Sequence, residues 1–530
     1  MSGPPAATDT LGGIKVAAQR RLEDARKGKT RFTVQVGHCS QSVGATQIAL
    51  SLAEALPPNS YLTIAGCDGA CHNAPQVVVT DSMGGQRLYV GVTTENFRDV
   101  FEESKGLVPG DSPFLNNQHR VVLQGCGDLE ATDVNEYLAG GGYEGLASAL
   151  SGSPEEVIEE VKASSLRGRG GAYFPAALKW QGARAIDTGP RYLVVNCEEG
   201  EPGLFKDRHI MEGLPHRLLE GAVIAAYAAG TGEAYFYINA EAKLSASRME
   251  TAVEQAYEQG LLGKDILGSG FDLEVKIMMG AGGYVCGEET TLLNTMEGDR
   301  REPRLRPPFP TEAGLWARPT VINNAETLSS VPYIMQNGAA AFAEVGTEAD
   351  KGTKIMSLSG SVRYPGLAEV PMGTTLRQII FDIGGGPAEG HELTAIAVGG
   401  PSSGIFPTSM LDTPIKPGFL HESGVMLGAG GIIALDERVG ILETVRRLAA
   451  YNSDESCGKC TPCREGTPRM VELLDKLAEG KATANDINDM RQLAEVVNAA
   501  SLCGLGQAAG NPILSALHFF GDELATMAQE

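Results

Sequence analysis

No run of about 18 apolar residues occurs in the 530-residue chain, so no membrane-spanning helix is expected. Basic residues are short: 43 Lys and Arg stand against 66 Asp and Glu, a formal net charge of −23. Nucleic-acid backbones and anionic membrane surfaces both call for a basic face, so neither partner is expected. Met1 to Thr10 lacks a basic region leading into an apolar stretch, so secretion is not expected and a cytoplasmic location is. Cysteine is scarce, with ten residues in the whole chain, which excludes a disulfide scaffold. Such cysteines read as buried, catalytic or metal-bound. What the chain has in excess is glycine, 67 residues, against a usual share of roughly 7%. The glycines are not periodic. They gather in loops such as GRGG and GAGG, where bare backbone N–H groups can approach a phosphate or cofactor.

The length and a 42% hydrophobic content allow several cores, three or four domains at about 150 residues each. Residues 1–30 suit a flexible or helical lead-in. Residues 31–105 form a small α/β unit with strands at Arg31–Val36, Tyr61–Ala65, Gln76–Thr80 and Arg87–Val90, and helices at Thr46–Leu56 and Thr94–Glu102. A polar connector covers 106–140. From 141 to 350 strands and helices alternate, which implies an α/β domain with a mainly parallel sheet and ligand loops at strand ends. Residues 353–430 are strand-rich with Gly/Pro turns. The chain is helical over 436–530, one helix opening at Thr467–Pro468.

The most specific motif is ESCGKCTPCREGT, where Cys457, Cys460 and Cys463 follow a C-x2-C-x2-C pattern. Cys503 follows after 39 intervening residues, in SLCGLGQ. Four thiolates are what a [4Fe–4S] cluster requires; zinc is the rival metal, but usually takes paired C-x2–4-C knuckles.

Four loops lie upstream: SLRGRGGAYFPAALKW (165–180), NCEEGEPGLFKDR (196–208), GAGGYVCGEETTLLNTMEGDRREPRLRPPFP (280–310) and GLWARPTVINNAETL (314–328). With the cysteine motif, these resemble the flavoprotein subunit of NADH:ubiquinone oxidoreductase (complex I). They also resemble the diaphorase subunits of NAD-dependent formate dehydrogenases and soluble hydrogenases. The resemblance implies an α/β multidomain fold: a Rossmann-like FMN domain, a ubiquitin-like β-grasp module and a C-terminal helical bundle carrying the cluster. It implies FMN contacts from Gly168, Gly170, Gly171 and Lys179, with Arg169 adding positive charge. Asn196, Glu198, Glu199, Gly287, Glu288, Glu289, Asn323 and Asn324 complete the flavin set, and Phe174, Glu201 and Phe309 would surround a nicotinamide cofactor. No catalytic side chain is expected, because the flavin does the redox chemistry.

The chain departs from the family pattern at Tyr173, where the loop has glycine, at Leu204 for threonine, and at Arg306 for lysine. Cys197 and Glu198 replace alanine and aspartate. Tyr173 could cover the nicotinamide face, swing as a gate or pack aside. The unit at 31–105 resembles thioredoxin-like [2Fe–2S] ferredoxins, which carry a C-x4-C and a C-x3-C pair. Here Cys67 and Cys71 give one pair, and Cys39 alone remains of the other. His38 or Ser40 could replace the missing ligand, but a degenerate module without a cluster is the expectation. Cys126 and Cys286 suit buried hydrophobes.

Together these features predict an electron-transfer flavoprotein subunit exchanging hydride between NAD(H) and FMN and single electrons with the [4Fe–4S] cluster. The alternative is a relay that keeps FMN and the cluster but has lost NAD(H). Partners would be iron–sulfur and catalytic metal subunits of a larger redox complex.

Overall fold

The structure is a computed structural model describing residues 6–108, 112–187 and 189–529. The lead-in is helical rather than flexible. Ala7–Arg26 forms α1, and its Ala7, Leu11 and Ala18 are buried in the core of the central domain. Leu11 and Ala18 stand seven residues apart, two helical turns, so one apolar face docks along segments 134–139 and 144–151.

The small N-terminal sheet contains β1 (Thr30–Gln35), β2 (Ser60–Ala65), β3 (Val77–Thr80) and β4 (Gln86–Tyr89), in the order β2-β1-β3-β4. β1 and β2 are parallel; β3 runs antiparallel to β1, and β4 to β3. Between β1 and β2, α2 (Ala45–Ala55) buries Ala45, Ile48, Ala49 and Leu52 at helical spacing. The helix expected at Thr94–Glu102 is only a 3-10 turn, Phe97–Phe101. The Asn96 side chain accepts from the Thr93 N–H, and the Thr93 hydroxyl from Glu95 and Asn96, which holds the segment in a turn.

The central sheet is parallel throughout: β5 (Tyr192–Cys197), β6 (Glu233–Ile238), β7 (Glu274–Met279) and β8 (Thr320–Asn324), ordered β7-β6-β5-β8. The chain steps outward from β5 to β7 and returns to the far side of β5 with β8. The C-terminal ends of β5 and β8 therefore flank a topological switch point, where open α/β sheets bind ligands. Around the sheet lie α3 (Ala176–Arg184), α4 (Lys206–Gly213), α5 (Pro215–Ala229), α6 (Lys243–Glu258) and α7 (Glu289–Glu297). α5 is buried on nearly every side, as its continuous Leu/Ala/Val composition requires.

A five-stranded mixed sheet follows: β9 (Thr353–Gly360), β10 (Gly366–Pro371), β11 (Leu393–Val398), β12 (Gly404–Pro407) and β13 (Gly431–Asp436), ordered β10-β9-β13-β11-β12. Its centre is the parallel pair β9–β13, over which the helical segment Gln378–Ile383 packs Ile379, Ile380 and Ile383. Asp436 closes β13, so the helical region begins later than expected, at α8 (Ile441–Asp454). Pro468 opens no helix. It lies inside α9 (Thr461–Ala478), whose first turn holds Pro462. α10 (Ala484–Ala500) and α11 (Asn511–Phe519) complete the bundle. Among the described residues, no helix is long and apolar enough to cross a membrane.

Candidate functional site

Several of the expected flavin residues meet at the switch point. Asn196 of β5 lies beside Asn324 of β8 in the sheet register. Asn196 Nδ2 donates to the Gly287 carbonyl at 2.9 Å, which ties the loop before α7 to the end of β5. The loop 165–180 crosses the end of β8, where a Cβ on Gly170 would stand 3.0 Å from Asn324 Cβ. Only glycine permits that approach without displacing the asparagine. The cradle is thus a bare backbone loop laid over paired amides, which fits a flavin mononucleotide.

Positive charge reaches it from two sides. Lys179 Nζ meets Glu289 Oε2 at 2.9 Å, and Arg306 meets the other Glu289 oxygen at 3.0 Å. Both cations hold the Glu289 carboxyl below its usual range against the opposing effect of burial. Arg169 lies elsewhere: its guanidinium is buried and donates to the Lys351 carbonyl at 2.6 Å, at the junction with β9.

The acidic residues divide by role. Glu199 accepts from the N–H groups of Asp207 and Arg208, at 2.9 and 3.0 Å, and so caps α4. Glu288 caps α7 through Thr290 and Thr291. Asn323 takes the Trp180 indole N–H at 2.8 Å. Glu198 and Glu201 are different. Each is buried with one carboxylate oxygen lacking a partner, Glu198 Oε2 and Glu201 Oε1. Burial pushes both carboxyls up to about 7. Phe174 and Phe309, in the loops 165–180 and 280–310, keep their rings about half exposed, at 49% and 51%.

Tyr173 has packed aside. It adopts a left-handed φ of 52°, lies buried in the core of the β9–β13 module, and donates its hydroxyl to the Gly428 carbonyl at 3.1 Å. Leu204 is also buried. So is Cys197, whose thiol burial raises well above its ordinary range, leaving it without a nucleophile's character. Cys126 and Cys286 are buried as expected.

Cys457, Cys460, Cys463 and Cys503 all line one small cavity, with Val285 and Leu505 among its apolar walls. Cys460 and Cys503 are N-cap residues, of α9 and of the short helix Gly504–Ala508, and Cys463 lies in the first turn of α9. Helix N-termini stabilise thiolates, so this placement suits anionic cluster ligands. Burial otherwise pushes Cys463 up to about 11, a cost that metal ligation removes.

One loop joins the two sites. Val285 lines the thiol cavity, while two residues on Gly287 is bonded to Asn196 at the sheet end. Glu455, beside the cysteine motif, accepts from the Tyr284 N–H at 2.8 Å, and Tyr451 donates to the Gly200 carbonyl at 2.6 Å. The flavin loops and the cysteine loops are thereby held in contact.

A buried ionic group escaped sequence reasoning. Lys206 Nζ lies 2.7 Å from Asp207 and 3.0 Å from Glu326, and Lys354 reaches Glu326 at 2.6 Å. Asn324 Nδ2 joins it through Asp207 at 2.7 Å. The cluster ties the switch point to β9. In the sequence its members other than Lys354 show only as the FKDR segment and the NNAE segment, 323–326, of two flavin motifs.

Family profiles match three stretches: the Nuo51 FMN-binding domain over 161–333, the SLBB domain over 355–406, and the NADH-ubiquinone oxidoreductase-F iron-sulfur binding region over 443–527. The chain is 43% identical over 406 residues to the NADP-reducing hydrogenase subunit HndC of Solidesulfovibrio fructosivorans, covering 77% of this chain and 83% of that protein. It is 44% identical over 411 residues to the second F-type subunit of NADH-quinone oxidoreductase in Rhizobium meliloti (strain 1021), covering 77% of this chain and 98% of the relative. A chain of the NAD+-reducing [NiFe]-hydrogenase in its H2-reduced state superposes with a TM-score of 0.69 at 27% identity, over 99% of this chain and 93% of that one.

Proposed function

This chain belongs to the family of flavoprotein subunits shared by NADH:quinone oxidoreductases and NAD(P)-reducing hydrogenases, and on that premise we propose which of its residues carry each step. It is an electron-transfer subunit of a multisubunit oxidoreductase, using NAD(H), FMN and a [4Fe–4S] cluster. Bound FMN supplies hydride chemistry toward the nicotinamide and one-electron chemistry toward the cluster.

The chain's own residues bind and orient. We assign the glycine loop 168–171, Lys179, Asn196, Asn323, Asn324 and the loop 287–289 to the flavin. Glu198 and Glu201 offer carboxyl groups poised near neutrality, each with a free oxygen, so each can hold a proton and donate a hydrogen bond at that oxygen. Phe174 and Phe309 exclude water from the nicotinamide face. Cys457, Cys460, Cys463 and Cys503 hold the cluster.

The single observation that carries the nicotinamide reading is Tyr173, tucked into the β9–β13 module instead of lying over the flavin face. The relay without NAD(H) is not favoured. The N-terminal strand order supports a thioredoxin-like module over 31–105, and we propose the domain limits 141–350, 353–430 and 436–530 for the rest. Iron–sulfur and catalytic metal subunits are the proposed partners. Ten unpaired cysteines support a reducing, cytoplasmic setting. The test is direct: the anaerobically purified chain, loaded with FMN, should reduce ferricyanide with NADH. Flavin-replete protein without turnover refutes the assignment.

A further inference from the structure

A second, small cavity opens between the N-terminal sheet and the central domain. Cys39, Cys67 and Cys71 line it, and so does His209, which belongs to α4 of the central domain. The two bodies meet closely here. A Cβ on Gly66 would stand 2.2 Å from Gly213 Cα, so the wall carrying Cys67 rests directly on the end of α4. The His38 N–H donates to Glu212 Oε2 at 2.7 Å, anchoring the Cys39 loop to the same helix.

His209 is the telling residue. It is 8% exposed, and its Nε2 has no hydrogen-bond partner. The Cys67 carbonyl lies beside the ring. A backbone carbonyl beside the imidazole is a common way of orienting metal-ligating histidines with the Nε2 lone pair toward the ion. An orphaned buried nitrogen is unfavourable unless something meets it. The other nearby candidates are spoken for. Ser40 Oγ accepts from the Gly37 N–H at 2.8 Å and donates back to backbone carbonyls, and Cys126 Sγ donates to the Cys67 carbonyl at 3.1 Å. His38 is exposed at the rim.

Spacing separates one ion from a cluster. A tetrahedral zinc with Zn–S bonds of about 2.3 Å draws its sulfurs to about 3.8 Å from one another. Among the described residues, the only His/Cys/Asp/Glu group within 4.8 Å of mutual approach is His391, Asp436 and Glu437. No three ligand atoms of Cys39, Cys67, Cys71 and His209 approach one another that closely, and neither do any three of the cysteines at 457–503; each set lines one cavity. Cys67 and Cys71, four residues apart on one turn, interact directly and form the near pair.

We propose that this cavity holds a binuclear iron–sulfur centre of the [2Fe–2S] class, one iron on Cys67 and Cys71 and the other on Cys39 and the His209 imidazole donated across the domain boundary. The thiol count inside the module made such a centre unexpected; the fourth ligand comes from outside it. Arg208, on the cavity wall, supplies positive charge beside the thiolates.

The full chain, purified anaerobically, tests this independently of NADH turnover. About six irons per chain are expected, four from the tetranuclear cluster and two from this centre. After dithionite reduction, pulsed EPR should detect nitrogen coupling on the binuclear signal. His209→Cys should keep all the iron, abolish the nitrogen coupling and lower the midpoint potential, since imidazole ligation raises it. His209→Ala should lose about two irons with FMN content unchanged. Four irons in the wild type, one zinc per chain, or a Cys67–Cys71 disulfide in the purified protein overturns the centre. Nitrogen coupling that survives His209→Cys and disappears in His38→Ala overturns the assignment of His209.

Discussion

Removing the Tyr173 ring should weaken the protein without improving its access to NADH. The side chain is 6% exposed, sits in the core of the β9–β13 module and donates to the Gly428 carbonyl. A buried tyrosine withdraws about 150–250 Å2 from water, about 4–6 kcal/mol at ~25 cal/mol per Å2 as an upper figure. Its hydrogen bond adds about 1 kcal/mol. Against this, the left-handed φ of 52° is unfavourable for a side chain, and glycine would relieve about 1–2 kcal/mol of it. Glycine's looser unfolded chain returns roughly half of that gain. The balance for Tyr173→Gly is a loss of up to about 5 kcal/mol, and for Tyr173→Phe, which keeps the ring, about 1 kcal/mol. The assay is urea unfolding of the FMN-loaded chain followed by flavin fluorescence, with NADH–ferricyanide turnover measured on the same samples. A Tyr173→Gly variant of unchanged stability whose NADH turnover rises several-fold would refute the reasoning, because the ring would then have been covering the nicotinamide face.

Two further perturbations follow from buried charge. Glu198 and Glu201 are raised from 4.5 to about 7 by burial, so the folded protein keeps protons that the unfolded chain has lost. Their contribution to stability is complete below pH 4.5 and is lost as pH rises through about 7. Thermal scans of the FMN-free protein between pH 6 and pH 8 should show this fall, flattened in Glu198→Gln; parallel profiles would contradict it. Lys354→Met leaves Glu326 with Lys206 as its remaining cation and should cost about 3 kcal/mol of urea stability, while a loss under 1 kcal/mol would mean that Lys354 is dispensable there.

The four cysteines proposed as cluster ligands were legible because thiol spacing is local, and the fold adds that three of them, Cys460, Cys463 and Cys503, stand at helix starts. The order of the central sheet was legible as an alternation of strands and helices, and with it the end of β5 as a site. Carboxylate roles were not. Glu198, Glu199 and Glu201 lie within four positions of one another, yet one caps a helix and two keep a free oxygen. The difference arises from where α4 begins, which the motif does not state. Tyr173 stood out as a departure from the family loop, but its direction depends on the β9–β13 module, some 180 residues further along the chain. The same limit governs the N-terminal module. Counting thiols between residues 31 and 105 leaves one ligand missing, while His209 sits one residue beyond the FKDR segment that seemed to end a flavin motif. Ligand sets that close across a domain boundary carry no spacing signal, since each half is under its own constraints of helix and loop. A module short of one ligand is therefore a reason to search the surface it docks on for a buried donor without a partner.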